Sequence, residues 1–152
     1  MLSNFFSQLA PVGQILLAAF LGAVVGLERE HRRKEAGLRT FALVAMWSAF
    51  FTVAAMHFSG SSLAQDVQLD PVRVIQAVAI GIGFIGSGLI IQRKAQVEGL
   101  TTAAALWATA AIGIGVGLQI YLLSILAALL IMAILGGLSL VEKAIFKKNV
   151  KK

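Results

Sequence analysis

Long apolar runs without charge alternate with short charged segments along the 152 residues of this chain. The uncharged runs cover 1–27, 40–65, the stretch between Arg73 and Arg93, and 99–141. A helix needs about 20 mostly apolar residues to cross a membrane. The first three runs each predict one span, at about 11–27, 40–58 and 71–91. The last run holds two, at about 100–117 and 119–141, with a turn near 115–119 where glycines accept a positive φ. Pro11 suits the first turn of span one, where its missing N–H costs nothing. No linker, internal repeat or second domain is visible. The pattern predicts one all-α domain over 1–152, a polytopic membrane helical bundle of five transmembrane helices.

All but one of the 13 Lys and Arg residues fall in three clusters. These are Arg29, Arg32, Arg33, Lys34 and Arg39; then Arg93 and Lys94; then Lys143, Lys147, Lys148, Lys151 and Lys152. Only Arg73 stands apart. Cytoplasmic loops collect Lys and Arg, and this bias sets orientation. The clusters should share the cytoplasmic side, with the N-terminus outside and the C-terminus inside. A four-span arrangement puts the Lys-rich tail outside and is rejected for that reason. The outer loop 59–70 carries Asp66 and Asp70 and no basic residue. The basic tail 142–152 reads as a helix end at the lipid surface.

Composition narrows the function. The chain is 59% hydrophobic and 13% charged, with a mean hydropathy of +0.88. Soluble domains average about 25% charged residues, so the bilayer must serve as solvent. The net charge of +6 fits a basic edge facing anionic lipid, where each Lys or Arg contributes about 1 kcal/mol. No basic soluble fold suggests nucleic acid. There is no Cys, hence no disulfide or thiolate chemistry. The N-terminus lacks a basic n-region, so the first run reads as a permanent span. His31 and His57 have no neighbours at ligand spacing. No nucleophile–base arrangement, carboxylate pair or phosphate loop appears, so neither an enzyme nor a cofactor is expected. No span carries Asp, Glu, Lys or Arg near its centre, where proton-coupled pumps and many ion paths place them. Gln14, Gln76, Ser87, Gln92 and Thr109 read as glue between helices.

The first charged segment has the richest chemistry. Glu28 and Arg32, Glu30 and Lys34, and Glu35 and Arg39 stand at i, i+4. Each such exposed pair contributes about 0.2–0.5 kcal/mol to a helix. They predict a helical extension of span one that stops at Ala36-Gly37. Glu28 lies where span one leaves the hydrocarbon and needs a partner such as Arg29, Arg39 or a cation. It is either a structural pin or a functional acid. Asp70 is an N-cap for span three with Pro71 at N1, and Arg73 can pair back to Asp70. Thr101 or Thr102 should cap span four, whose free N–H groups make an anion-friendly end. Trp47 and Trp107 lie several residues inside their spans and read as packing residues.

Gly81-Ile82-Gly83-Phe84-Ile85-Gly86 fits the dinucleotide-loop expression. That motif requires a preceding strand, and here it lies inside an apolar helix. Gly81, Gly83, Gly86 and Gly88 instead remove bulk so that another helix can approach. Gly22 and Gly26 offer a partner surface in span one. Gly113, Gly115 and Gly117 thin one face of span four.

Four segments together resemble the MgtC/SapB family of bacterial inner-membrane proteins. They are Gly26-Leu27-Glu28-Arg29-Glu30 with Ala36-Gly37-Leu38-Arg39-Thr40; Asp70-Pro71-x-Arg73; Gly81-Ile82-Gly83-Phe84-Ile85-Gly86-x-Gly88; and Gly99-Leu100-Thr101-Thr102-Ala103-Ala104-x-Leu106-Trp107 through Ala110-Ala111-Ile112-Gly113. The resemblance implies a five-span domain. It marks Glu28, Arg29, Gly37, Arg39, Thr40, Asp70, Arg73, Gly83, Gly86, Thr101 and Thr102 as family-typical. Members have been associated with growth at low magnesium, survival inside macrophages and modulation of the F-type ATP synthase. Longer members add a soluble cytoplasmic C-terminal domain, so this sequence, which stops at Lys152, reads as either a short member or a truncated one. The leading expectation is a non-enzymatic regulator that contacts a membrane partner such as ATP synthase. A second is a magnesium transporter or channel, with Glu28 as inner acid and Asp66 and Asp70 as outer acids, since magnesium favours carboxylates and keeps several waters. A third is a homo-oligomeric scaffold, by default a dimer.

Overall fold

The computed structural model describes residues 2–59, 70–94 and 96–139. Five α-helices follow the apolar runs: α1 Leu2–His31, α2 Leu38–Ser59, α3 Pro71–Ser87, α4 Leu100–Gly117 and α5 Tyr121–Ala133. A π-helical turn, Ile134–Leu138, continues α5. Between α3 and α4 lies an antiparallel hairpin, β1 Ile91–Arg93 and β2 Gln96–Glu98, in the register Ile91↔Glu98, Gln92↔Val97, Arg93↔Gln96. The result is an all-α bundle with one small β excursion.

Four segments are long and apolar enough to cross a membrane: Leu9–His31, Leu38–Ser59, Leu100–Gly117 and Tyr121–Leu138. The fifth helix, α3, has 17 residues and rises only about 25 Å, against a hydrocarbon core of about 30 Å. The sequence placed the end of this span at Ile91. Gly86, Ser87 and Gly88 are weak helix formers, and the chain turns there into the hairpin. Pro11 also differs from expectation. It lies inside α1 rather than at its start, as a membrane helix tolerates.

Both tight helix–helix turns use non-glycine residues in the left-handed region. α1 ends with Arg33 at φ 52, Arg33 N–H donating to the Glu30 carbonyl and Lys34 N–H to the Arg29 carbonyl. α4 ends with Gln119 at φ 64, Gln119 N–H donating to Val116 and Ile120 N–H to Gly115. Each is a Schellman cap, which satisfies carbonyls the helix leaves free. The expected helical extension up to Ala36-Gly37 thus gives way to the first cap, while the second turn falls at 118–119, within the expected stretch 115–119, with Gln119 and not a glycine at positive φ.

The core is built on α2, which packs between α1 and α4. A Cβ placed on Gly22 would lie 2.5 Å from the Phe41 carbonyl oxygen and 2.7 Å from Ala45 Cβ. One on Gly26 would lie 2.7 Å from Leu38 Cα. From the other side, Gly113 abuts the Ala45 carbonyl and Gly117 abuts Thr52. The Gly22/Gly26 face thus serves α2, and not α3 as its sequence pattern had suggested. Phe41, Leu106, Ile112, Val25 and Val116 are the largest apolar side chains fully enclosed by this packing.

Hydroxyls in the core bond to their own helices. Ser48 donates to Val44 at 2.7 Å, Thr52 to Ser48 at 2.8 Å, Thr109 to Ala105 at 2.8 Å and Ser124 to Ile120 at 2.9 Å. Each is an i−4 carbonyl bond, so a small polar residue is buried at little cost. The expected glue role of Thr109 is replaced by this local bond. Gln14 does join two helices, donating from Nε2 to the Tyr121 hydroxyl at 3.0 Å. Trp47 and Trp107 are 49% and 53% exposed, so they lie outside the enclosed core. Trp47 instead meets Phe50 edge-on, with ring centroids 5.3 Å apart.

This packing predicts unequal costs for one chemical change. Gly22→Ala should destabilise the bundle by about 1–3 kcal/mol through overpacking. Gly83→Ala meets nothing within 4 Å and should be neutral or stabilising by up to about 1 kcal/mol from helix propensity. Thermal unfolding in detergent micelles checks the order of the two variants.

Candidate functional site

The C-terminus of α1, the N-termini of α2 and α4, the hairpin and the π-helical turn meet at one end of the bundle. The first two basic clusters gather there; the third lies outside the described residues. Within this end the carboxylates are committed one by one.

Glu28 lies at the last turn of α1, beside Arg29 and one turn before Arg32. Arg29 is 3% exposed and donates from Nε to Glu28 Oε2. Arg32 Nε stands 2.6 Å from Glu28 Oε1. That second contact is an ion pair without hydrogen-bond alignment, because buried Oε1 accepts no hydrogen bond. The Arg32 guanidinium continues across the end of the bundle. It donates through Nη1 to Ser139 Oγ and through Nη2 to the Gly136 carbonyl at 3.3 Å. Arg32 thus ties the π-helical turn that continues α5 to the end of α1.

Glu30 Oε2 accepts from Leu38 N–H at 3.0 Å, supplying a cap that α2 lacks from its own first residues. Gly37 is needed beside it, since a Cβ there would collide with the Glu30 carboxylate. Glu35 Oε2 accepts from Thr102 Oγ1 at 2.6 Å. The hydrogen bond from Thr102 and another from the Glu35 backbone hold this carboxyl below its usual range, helped by the charges of Lys34 and Arg29 and opposed by burial. Of the three i, i+4 pairs expected from sequence, only Glu28–Arg32 forms among the described residues. Glu30 and Glu35 spend their charge on the α2 N-terminus and on α4.

Thr102 therefore joins α4 to the first loop and does not cap α4. The N-cap is Gly99, at φ 84, with no side-chain hydrogen bond. A Cβ on Gly99 would run into the Leu89 carbonyl, which explains the glycine twice over. Thr101 is exposed. A small polar pocket of about 250 Å³, lined by Lys34, Glu35, Glu98, Thr101 and Thr102, opens beside this contact.

The other expected residues are more dispersed. Arg39 is exposed and Thr40 half-buried at the start of α2. At the opposite end Asp70 caps α3, accepting from Val72 N–H at 2.9 Å. Arg73 is exposed. Its backbone N–H meets the Asp70 carbonyl at 3.0 Å, but the expected side-chain pair with Asp70 is not among the ion pairs of the described residues. Asp66 lies outside the described residues. A Cβ on Gly86 would lie 3.5 Å from Ala103 Cβ and one on Gly88 3.3 Å from the Ile85 carbonyl oxygen, while one on Gly81 or Gly83 would meet nothing within 4 Å. Among the described residues no three His, Cys, Asp or Glu side chains gather as a metal site would require.

Sequence reasoning missed the Glu35–Thr102 bond and the reach of Arg32 to the π-helical turn. The signal for Thr102 was its place on the buried stripe of α4, which continues through Leu106, Thr109 and Gly113.

The fold defines a polytopic α-helical membrane protein whose loops at one end are fastened by a clasp of arginines and carboxylates. The profile of the MgtC family matches residues 15–144, and the chain belongs to that family. It is 40% identical over 139 residues to protein SrpB of Synechococcus elongatus, covering 86% of this chain and 75% of that one. It is 39% identical over 137 residues to a protein of Escherichia coli K12 named putative magnesium transporter YhiD, covering 90% and 64%. With protein MgtC of Salmonella typhimurium LT2 the identity is 43% over 104 residues, 68% of this chain and 42% of that one. It spans 60% of a Haemophilus influenzae relative. No solved structure matches the chain.

Two predictions follow from the clasp. Glu28→Ala leaves the Arg29 charge buried without its carboxylate and should cost about 3 kcal/mol. As a pin, Glu28 makes that loss independent of magnesium; a magnesium-induced rise in melting temperature seen in wild type and absent in Glu28→Ala would mark it as a ligand instead. The second concerns pH. The folded pKa of Glu35 is lowered, so its contribution is present at neutral pH and is lost as pH falls through the folded value. Thr102→Val should therefore be less stable than wild type at neutral pH, with a gap that closes below the ordinary carboxylate range. Thermal unfolding across pH measures the gap.

Proposed function

We propose that this protein is a non-enzymatic regulator in the bacterial inner membrane that acts on a membrane partner by helix contact during magnesium limitation or stress. The observation that carries this reading is the outer face of α3. Gly83 meets nothing within 4 Å, and Ile80 and Phe84 beside it are 75% and 81% exposed. Small residues let membrane helices approach closely. Gly22 and Gly26 of α1 and Gly113 and Gly117 of α4 are already filled by α2, whereas Gly83 has bulky apolar side chains beside it and nothing within 4 Å of a Cβ placed on it. F-type ATP synthase, implied by the family resemblance, is the first candidate partner. A second copy of the chain is the alternative occupant of the same face.

The acids proposed for a magnesium path support this reading less than a structural one. Glu28 pairs with two arginines, and Asp70 caps α3. The E. coli relative's name carries the transport alternative. Gly83→Leu should leave the fold intact and abolish both partner capture and support of growth at low magnesium. Unchanged capture and growth in that variant would exclude the α3 face. Magnesium flux into liposomes, lost in Glu28→Gln, would replace regulation by transport.

A further inference from the structure

A cleft of about 850 Å³ separates α2 from α3 on the side away from Gly83. Leu43, Trp47 and Phe51 form its α2 wall, and Val74, Gly81 and Ile85 stand on the α3 wall. Arg73 lines the end remote from the arginine–carboxylate clasp. We propose that the cleft holds one anionic phospholipid, with its phosphate on Arg73 and an acyl chain running between α2 and α3 toward Ile85.

Three observations favour this occupant. From Arg73 to Ile85 α3 rises about 18 Å, and one leaflet contributes about half of a hydrocarbon core of about 30 Å. The cleft thus fits a chain entering from the leaflet on the Arg73 side. Charge is the second. Arg73 is the one basic residue outside the three clusters, it lies at the other end of the bundle, and it has no ion-pair partner among the described residues. An arginine at the mouth of an apolar cleft between membrane helices matches a lipid phosphate, which the guanidinium can bind through paired N–H donors. Shape is the third. Membrane helices pack closely through small residues on both surfaces, but the α2 wall presents a ridge of Leu43, Trp47 and Phe51. A flexible hydrocarbon chain can follow that ridge, and a second helix backbone is kept away from it.

Gly81 supplies the test. A side chain there meets nothing within 4 Å and projects beside the cleft, so Gly81→Leu fills the space without disturbing the core. The full chain is purified from membranes in mild detergent, incubated with phosphatidylglycerol or phosphatidylcholine, and read by native mass spectrometry. Wild type should retain one phosphatidylglycerol in preference to phosphatidylcholine. Arg73→Gln should reduce that preference about fivefold, the effect of one basic contact. Gly81→Leu should lose both lipids, and Gly83→Leu on the outer face should retain them. Melting temperatures establish that the variants are folded. Equal retention of the two lipids by wild type, or lipid binding unchanged in folded Gly81→Leu, overturns the proposal. So does a dimer that Gly81→Leu dissolves and that carries no lipid.

Discussion

Backbone-to-backbone approach on both sides of α2 is the constraint on which the remaining structure depends. Gly22 and Gly26 let α1 settle against Phe41 and Leu38, while Gly113 and Gly117 let α4 settle against Ala45 and Thr52. Lipid tails are as apolar as leucine, so burial alone gives little reason for helices to associate in a membrane. Close van der Waals contact must supply it. A methyl group at any of these four glycines would meet backbone or side chain at less than the ordinary separation. Self-bonded hydroxyls at Ser48, Thr52 and Thr109 suit the same geometry, because they are small and need no partner across the interface.

The clasp depends on that approach. With α1 and α2 in register, the Glu30 carboxylate reaches the first amide of α2. With α4 beside them, Thr102 comes within reach of Glu35. Arg29 is buried among these elements, and its charge is balanced by Glu28. A buried ion pair is weak evidence for stability by itself, but losing one partner is costly. This asymmetry makes removal of the Glu28 carboxylate costly to the fold.

α3 packs on α4 and α2 and leaves two of its sides open. Its core-facing side meets α4 through Gly86 and Ala103, and its helix is shorter than the other candidate spans. One side opens on the cleft with α2, and another presents Gly83 outward. The two sides offer different chemistry: a cation above an apolar slot on one, and a glycine surrounded by bulky apolar side chains on the other. Tight packing joins α1, α2 and α4, while α3 keeps much of its apolar surface exposed.

Charge-free apolar runs longer than 17 residues are legible as membrane helices because hydrocarbon cannot solvate a free peptide group, so the backbone must bond within itself. Asp70-Pro71 was equally legible, since capping is a local matter of one side chain and the next amides. The end of α3 was less so: the apolar run continues to Ile91, yet the backbone leaves the helix at Ser87 and pairs as a hairpin. Arg33 and Gln119 in left-handed turns, where glycine was expected, also depended on the packing of flanking helices. The sequence by itself determined the apolar segments, their order and the charged end to which the first two basic clusters belong, because those follow from local composition against lipid. Only the tertiary structure decided which glycine faces meet, that Thr102 turns from cap to cross-link, and that Trp47 looks outward. Each of these depends on a residue from another helix arriving within a few ångströms, and no spacing along one helix contains that information.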